Sequence, residues 1–159
     1  MFISDKLSPL LEEITSYLNQ LLEALHSEYQ ILTSNNLDLI NEVSQNKILL
    51  MEHLEDLNKE RLSILKTAGI ESDSRSMESF FDNHPEQQIA LLKKTWHQIS
   101  KLTTDCEKQN NLNGMIIESN KRHTENALSV LQGKQQGTEL YTKKGSTIKS
   151  QNKQTLVRA

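Results

Sequence analysis

A single cysteine, Cys106, leaves no partner for an internal disulfide, and such a chain suits a reducing compartment. Aromatic residues make up only 4% of the 159 positions and apolar residues 35%, both low for a compact globular core. Long helices packed side by side through Leu and Ile can live with that composition. A compact sandwich or a deep substrate pocket is harder to build from it. Two prolines and five glycines argue against a turn-rich all-β fold. No apolar run approaches the roughly 18 residues that a membrane span needs, so the chain is not expected to be membrane-embedded. The opening Met1-Phe2-Ile3-Ser4-Asp5-Lys6 lacks a basic segment followed by an apolar core, so no signal peptide is read there. The expected location is the cytoplasm.

What is present is uneven in charge. Residues 1–131 hold 12 Lys/Arg and 20 Asp/Glu, a balance of −8; residues 132–159 hold 6 Lys/Arg and only Glu139, a balance of +5. The chain therefore reads as one acidic domain, residues 1–131, followed by a basic tail, residues 132–159. The tail has one aromatic residue and no long Lys/Arg run, so nucleic acid is not an expected partner.

The body carries helical periodicity. Leu11, Ile14, Leu18, Leu21, Leu25 and Leu32 step by threes and fours, with Glu28 at the one skipped place. Ser8 can cap this first helix, with Pro9 at its first position, and it runs to about Ser34. Asn35 or Asn36 can cap a second helix, marked on one face by Ile40, Val43, Leu50, Leu54, Leu57, Ile64 and Leu65. Lys47 and Arg61 interrupt that seam and are expected to reach past it to water. Gly69 supplies a stop. The short connection makes the two helices an antiparallel hairpin. Residues 70–84 read as a loop with one short helical turn. There Phe80 and Phe81 either plug an end of the bundle or form an exposed docking tip.

The longest stretch runs from Pro85 to Leu131, about 47 residues and, if fully helical, about 70 Å. Its seam begins apolar with Ile89, Leu92, Trp96 and Ile99, then turns polar through Cys106, Asn110, Asn113 and Asn120. Helix three either projects beyond the hairpin or breaks near Asn113-Gly114; a break is reasonable, because glycine in a helix interior costs about 1 kcal/mol against alanine. Asn110 and Asn113 either fix helix register inside a bundle, or face a partner, or cap a helix restart after Gly114. Trp96 reads as a core anchor. Residues 115–131 have no obvious partner within the chain, yet they carry several apolar residues, and such a face usually belongs to another chain. The fold expected is all-α: an antiparallel bundle of three long helices with a disordered C-terminal tail.

Catalytic and metal constellations are missing from the pattern. Glu23-Ala-Leu-His26 is one Glu-x-x-His element, and a di-iron bundle needs two. Cys106 on the seam reads as an inert thiol. No enzyme activity, metal or cofactor is expected.

The C-terminal third resembles a known family. Asn110-Asn-Leu-Asn113-Gly114-Met-Ile-Ile117, then Ala127-Leu128-Ser-Val-Leu131-Gln-Gly133, then Leu140-Tyr141 with Gly145 four residues beyond the tyrosine, resembles the FlgN family of flagellar export chaperones. The resemblance implies a cytoplasmic helical protein that binds hook–filament junction proteins, prevents their premature assembly and delivers them to the type III export gate. It implies that cargo is bound by Ile116, Ile117, Ala127, Leu128, Val130 and Leu131. Tyr141 would dock on the cytoplasmic domain of the gate. Asn110, Asn113 and Gly114 would form a structural seam. The alternative is a structural coiled coil whose third helix self-associates.

Overall fold

Leucine or isoleucine at every third or fourth place gives the first helix, α1 (Ile3–Ser34), one buried side: Leu7, Leu11, Ile14, Leu18, Leu21, Leu25 and Leu32. The computed structural model describes residues 3–34, 36–84 and 86–133, and the two short segments 140–141 and 147–148. The molecule divides into two units, residues 1–117 and 118–159. Helix α1 starts ahead of Ser8, and Pro9 lies inside it, not at its first position. An interior proline removes a backbone hydrogen bond and costs about 3 kcal/mol. Packing offsets this. Leu7 is fully buried, Ile3 packs on the same core, and the Ser4 hydroxyl donates to Gln88 Oε1 at 3.5 Å. Burying one leucine side chain contributes about 1.5–3 kcal/mol.

A three-residue 3-10 turn, Leu37–Leu39, leads into α2 (Ile40–Thr67). Asn36 opens the turn without a side-chain capping bond, so the expected asparagine cap is not made there; Asn35 lies outside the described residues. Helix α2 runs back along α1. Lys47 meets Glu28, and further on His53 stacks on Tyr17 with ring centroids 5.2 Å apart. It ends at Gly69, whose φ of +71° is strained for an L side chain and free for glycine. The Gly69 amide donates to the Lys66 carbonyl and the Ile70 amide to the Leu65 carbonyl, closing a Schellman turn over buried Leu65.

The expected loop at residues 70–84 contains a ten-residue helix, α3 (Ser74–Asn83), so the described residues hold four α-helices where the sequence suggested three. Asp73 is the reason at one end. Its carboxylate accepts from the Arg75 and Ser76 amides at 2.9 and 3.0 Å and from the Ser76 hydroxyl. Burial is the reason at the other: Met77 and Phe81, four residues apart, both enter the core. Phe81 is thus a plug, and Phe80 packs half-buried beside it.

Helix α4 (Gln87–Leu131) is 45 residues long and unbroken at Gly114. Pro85 lies outside the described residues. Contacts between Ser4 and Gln88, Leu18 and Cys106, and Leu25 and Asn113 rise together along both helices, so α4 runs parallel to α1 within residues 1–117. Ile89, Leu92, Trp96 and Cys106 are its buried apolar residues. The predicted break fails because buried Asn113 ties the helix down on one side of Gly114, while Gly114 itself faces open space. No atom lies within 4 Å of where its Cβ would stand. Gly114→Ala is therefore expected to stabilise the protein by about 1 kcal/mol, read as a rise of about 3 °C in a thermal melt.

In the second unit, Leu140–Tyr141 pairs antiparallel with Thr147–Ile148, Leu140 opposite Ile148 and Tyr141 opposite Thr147. This short pairing departs from a wholly unstructured tail. Residues 134–139, 142–146 and 149–159, where the rest of that expectation falls, lie outside the described residues. Among the described residues, no helix is long and apolar enough to cross a membrane.

Candidate functional site

Three polar residues interrupt three apolar seams, and the fold brings them together. Glu28 of α1 is 2% exposed. Lys47 Nζ of α2 lies 2.8 Å from Glu28 Oε1, with the lysine side chain 19% exposed. Asn113 of α4, 1% exposed, donates from Nδ2 to Glu28 Oε2 and to the Leu25 carbonyl, both at 2.8 Å. Gln109 Nε2 donates to Asn113 Oδ1 at 3.0 Å. Both Nδ2 protons and the Oδ1 of Asn113 are thereby engaged. Lys47 thus turns inward instead of reaching past the seam to water. The cause is electrostatic: a buried carboxylate without a counter-charge is too costly to keep ionised. Arg61 also departs from expectation. Its guanidinium lies 5.0 Å from the Trp96 ring centroid and donates to Asn58 Oδ1. Of the two seam asparagines closest to Gly114, only Asn113 is buried; Asn110 is exposed.

A second polar cluster joins α3 to α4. Glu78 accepts from His97 Nε2 and from Lys93 Nζ, and Lys93 also reaches Asp82 Oδ1 at 3.1 Å. The hydrogen bond from His97, then that from Lys93, holds the Glu78 carboxyl below its ordinary value of 4.5. A depressed carboxyl contributes stability above its unfolded value and loses it as pH falls through the folded one. Acidification below about pH 4.5 is therefore expected to loosen α3. Trp96, edge-on to Phe81, should report this as a change in fluorescence. In Glu78→Gln that acid step should be absent.

Cys106 donates weakly to the Leu18 carbonyl at 3.6 Å, and burial pushes its thiol pKa up, away from the reactive thiolate. Among the described residues, no three His, Cys, Asp or Glu side chains come together as a metal site.

The predicted cargo-contacting residues fall into two groups along α4. Within residues 1–117, Ile116 is half-buried and Ile117 exposed, with Leu112 and Met115 exposed beside them. Within the second unit, Ala127 is exposed, and Leu128, Val130 and Leu131 are 50%, 76% and 83% exposed. Leu131 stands three residues from Leu128 and four from Ala127, so these three are neighbours on one helical side. The Tyr141 backbone lies in the strand pair, and its side chain lies outside the described residues.

Sequence reasoning missed the four-residue polar network. Its signal was available: Glu28, Lys47 and Asn113 each occupy a seam position where an apolar residue belongs. It also missed Ile48, Leu49 and Met51, large apolar residues left exposed on α2.

The overall fold has a counterpart among solved structures. A crystal structure of a protein described as a flagella synthesis protein FlgN from Pseudomonas aeruginosa matches with a TM-score of 0.66 and 27% identity, over 82% of this chain and 99% of that one. No curated protein matches the sequence. The sequence profile of the FlgN protein matches residues 1–149. Because that match spans nearly the whole sequence, the chain belongs to the FlgN family, a family of flagellar proteins.

Proposed function

We propose that the chain is a cytoplasmic flagellar export chaperone, without enzymatic activity or cofactor, for hook–filament junction proteins. The observation that carries this reading is the set of large apolar residues, Leu128, Val130 and Leu131, left in water on the last turns of α4. Water exposure of such side chains is unfavourable by about 25 cal/mol per Å², and a partner's apolar helix would relieve it. Subunits exported before assembly present apolar helical ends that associate prematurely. A chaperone that binds only the unassembled form shifts that equilibrium by mass action. Residues 1–131 then form the chaperone body, with 115–131 as its cargo-binding arm and Ile116, Ile117, Ala127, Leu128, Val130 and Leu131 as contacts. The basic tail, residues 132–159, carries Tyr141 toward the cytoplasmic domain of the export gate.

Amide hydrogen exchange tests the reading, on the free chain and again with a purified junction protein added. The expected result is new protection at residues 115–131 with the α1–α2 hairpin unchanged. If the free chain already protects those residues and loses protection on dilution, the arm is a self-association interface and the chaperone reading falls.

A further inference from the structure

We propose that Glu28, Lys47 and Asn113 act as a register lock, setting where α4 sits along α1 and α2 and adding little to net stability. A buried ion pair gains in mutual attraction about what it loses in desolvation. Replacing one by well-packed apolar residues of similar volume often leaves stability unchanged or raises it. The network therefore needs a purpose that leucine would not serve.

The seams supply that purpose. On α4, Ile89 and Trp96, Leu92 and Ile99, and Ile99 and Cys106 stand seven apart, so this part of the seam repeats under a slide of one heptad, about 10 Å. A slip bringing Cys106 to the place of Asn113 leaves Glu28 Oε2 without its amide donor. A slip the other way brings Asn120 to that place and restores an amide. It also drives Asn113 into the position of Cys106, beside the Leu18 carbonyl and among Leu and Ile. There the Leu18 carbonyl can take one of the two Asn113 amide N–H protons, and Asn113 Oδ1 finds no donor. In that slip Ile116 replaces Gln109 and Thr103 replaces Trp96. One register alone satisfies all of the polar groups, because an unpaired buried donor or acceptor is expensive while a mispaired leucine is not. The amide of Asn113 reads the position through two acceptors on α1, the Leu25 carbonyl and Glu28, while Lys47 ties α2 to the same carboxylate. This inference stands whether or not the arm carries cargo.

The test uses the full chain with Cys106→Ala and spin labels on Asn19→Cys and Lys108→Cys, two exposed positions on α1 and α4. Electron–electron double resonance then reads the distance between the helices. The unlocked variant combines Glu28→Leu, Lys47→Met and Asn113→Leu. It is expected to melt no lower than its parent, yet to replace one narrow distance by two or more populations. Glu28→Gln, which keeps an acceptor for Asn113, is expected to keep the single distance. A triple variant that retains one narrow distance overturns the proposal. So does a triple variant that fails to fold, because the network would then serve stability and not register.

Discussion

Glu28→Ala alone is expected to lower the unfolding free energy by about 3–5 kcal/mol, the usual cost of removing one partner of a buried ion pair. Domains of this kind are stable by about 5–15 kcal/mol in all, so this single truncation brings the chain near the threshold of unfolding. The deletion leaves the Lys47 ammonium largely out of water and takes one of the two acceptors from the Asn113 amide. It also opens a cavity at the level where α1, α2 and α4 meet. Lys47 is 19% exposed and can swing partly toward solvent, which draws the effect toward the lower end. Urea denaturation followed by circular dichroism measures it. The midpoint should fall with the slope unchanged, the sign of lost stability without altered compactness. A loss below about 1 kcal/mol would mean that Glu28 reaches water in solution. The apolar triple variant differs: removing one charge strands the others, while removing all three polar groups together leaves only half-buried Gln109 without its partner.

The second large effect concerns binding and not folding. Leu128→Ala combined with Leu131→Ala should leave the thermal melt within about 1 °C, because both side chains are exposed and surface truncations change stability by roughly 0.5 kcal/mol or less. Affinity for a purified hook–filament junction protein should fall steeply. Each leucine buried against a partner is worth about 1.5–3 kcal/mol, so losing both weakens binding by about 100-fold or more. Isothermal titration calorimetry reads the change, and gel filtration of the free variant reads its association state. Unchanged cargo affinity would remove these residues from the binding surface. A free protein that falls from a larger species to monomer on mutation would instead assign this face to self-association.

Much of the architecture was legible because helical burial is written in spacing. The α1 stripe, the Gly69 stop, the seam from Ile89 to Cys106 and the end of α4 at Leu131 all follow from local periodicity and from residues with narrow conformational preferences. Three features were not legible. Pro9 looked like a first-turn residue, but its local cost is offset by Leu7 and Ser4 packing against parts of the chain distant in sequence. Gly114 looked like a break, but a glycine penalty of about 1 kcal/mol is small beside the anchoring of its neighbour Asn113. Helix α3 was read as a turn because its short sequence is polar apart from Met77, Phe80 and Phe81. What makes it a helix is the Asp73 cap together with the core into which two of those side chains insert.

The sequence by itself determined the all-helical class, the hairpin partners and the apolar residues left on the final turns of the last helix. These depend on repeats within single elements, where 3.6 residues per turn converts spacing directly into a face. The tertiary structure alone decided that Glu28, Lys47 and Asn113 are one site. Each of them read singly is a flaw in its own helix, an acid, a base and an amide where leucine fits. The three lie on different helices and far apart in sequence, so no local pattern can pair them. Only packing brings the ammonium and the amide each to 2.8 Å from the same carboxylate, and only there does charge neutralisation turn three unfavourable burials into a bonded network.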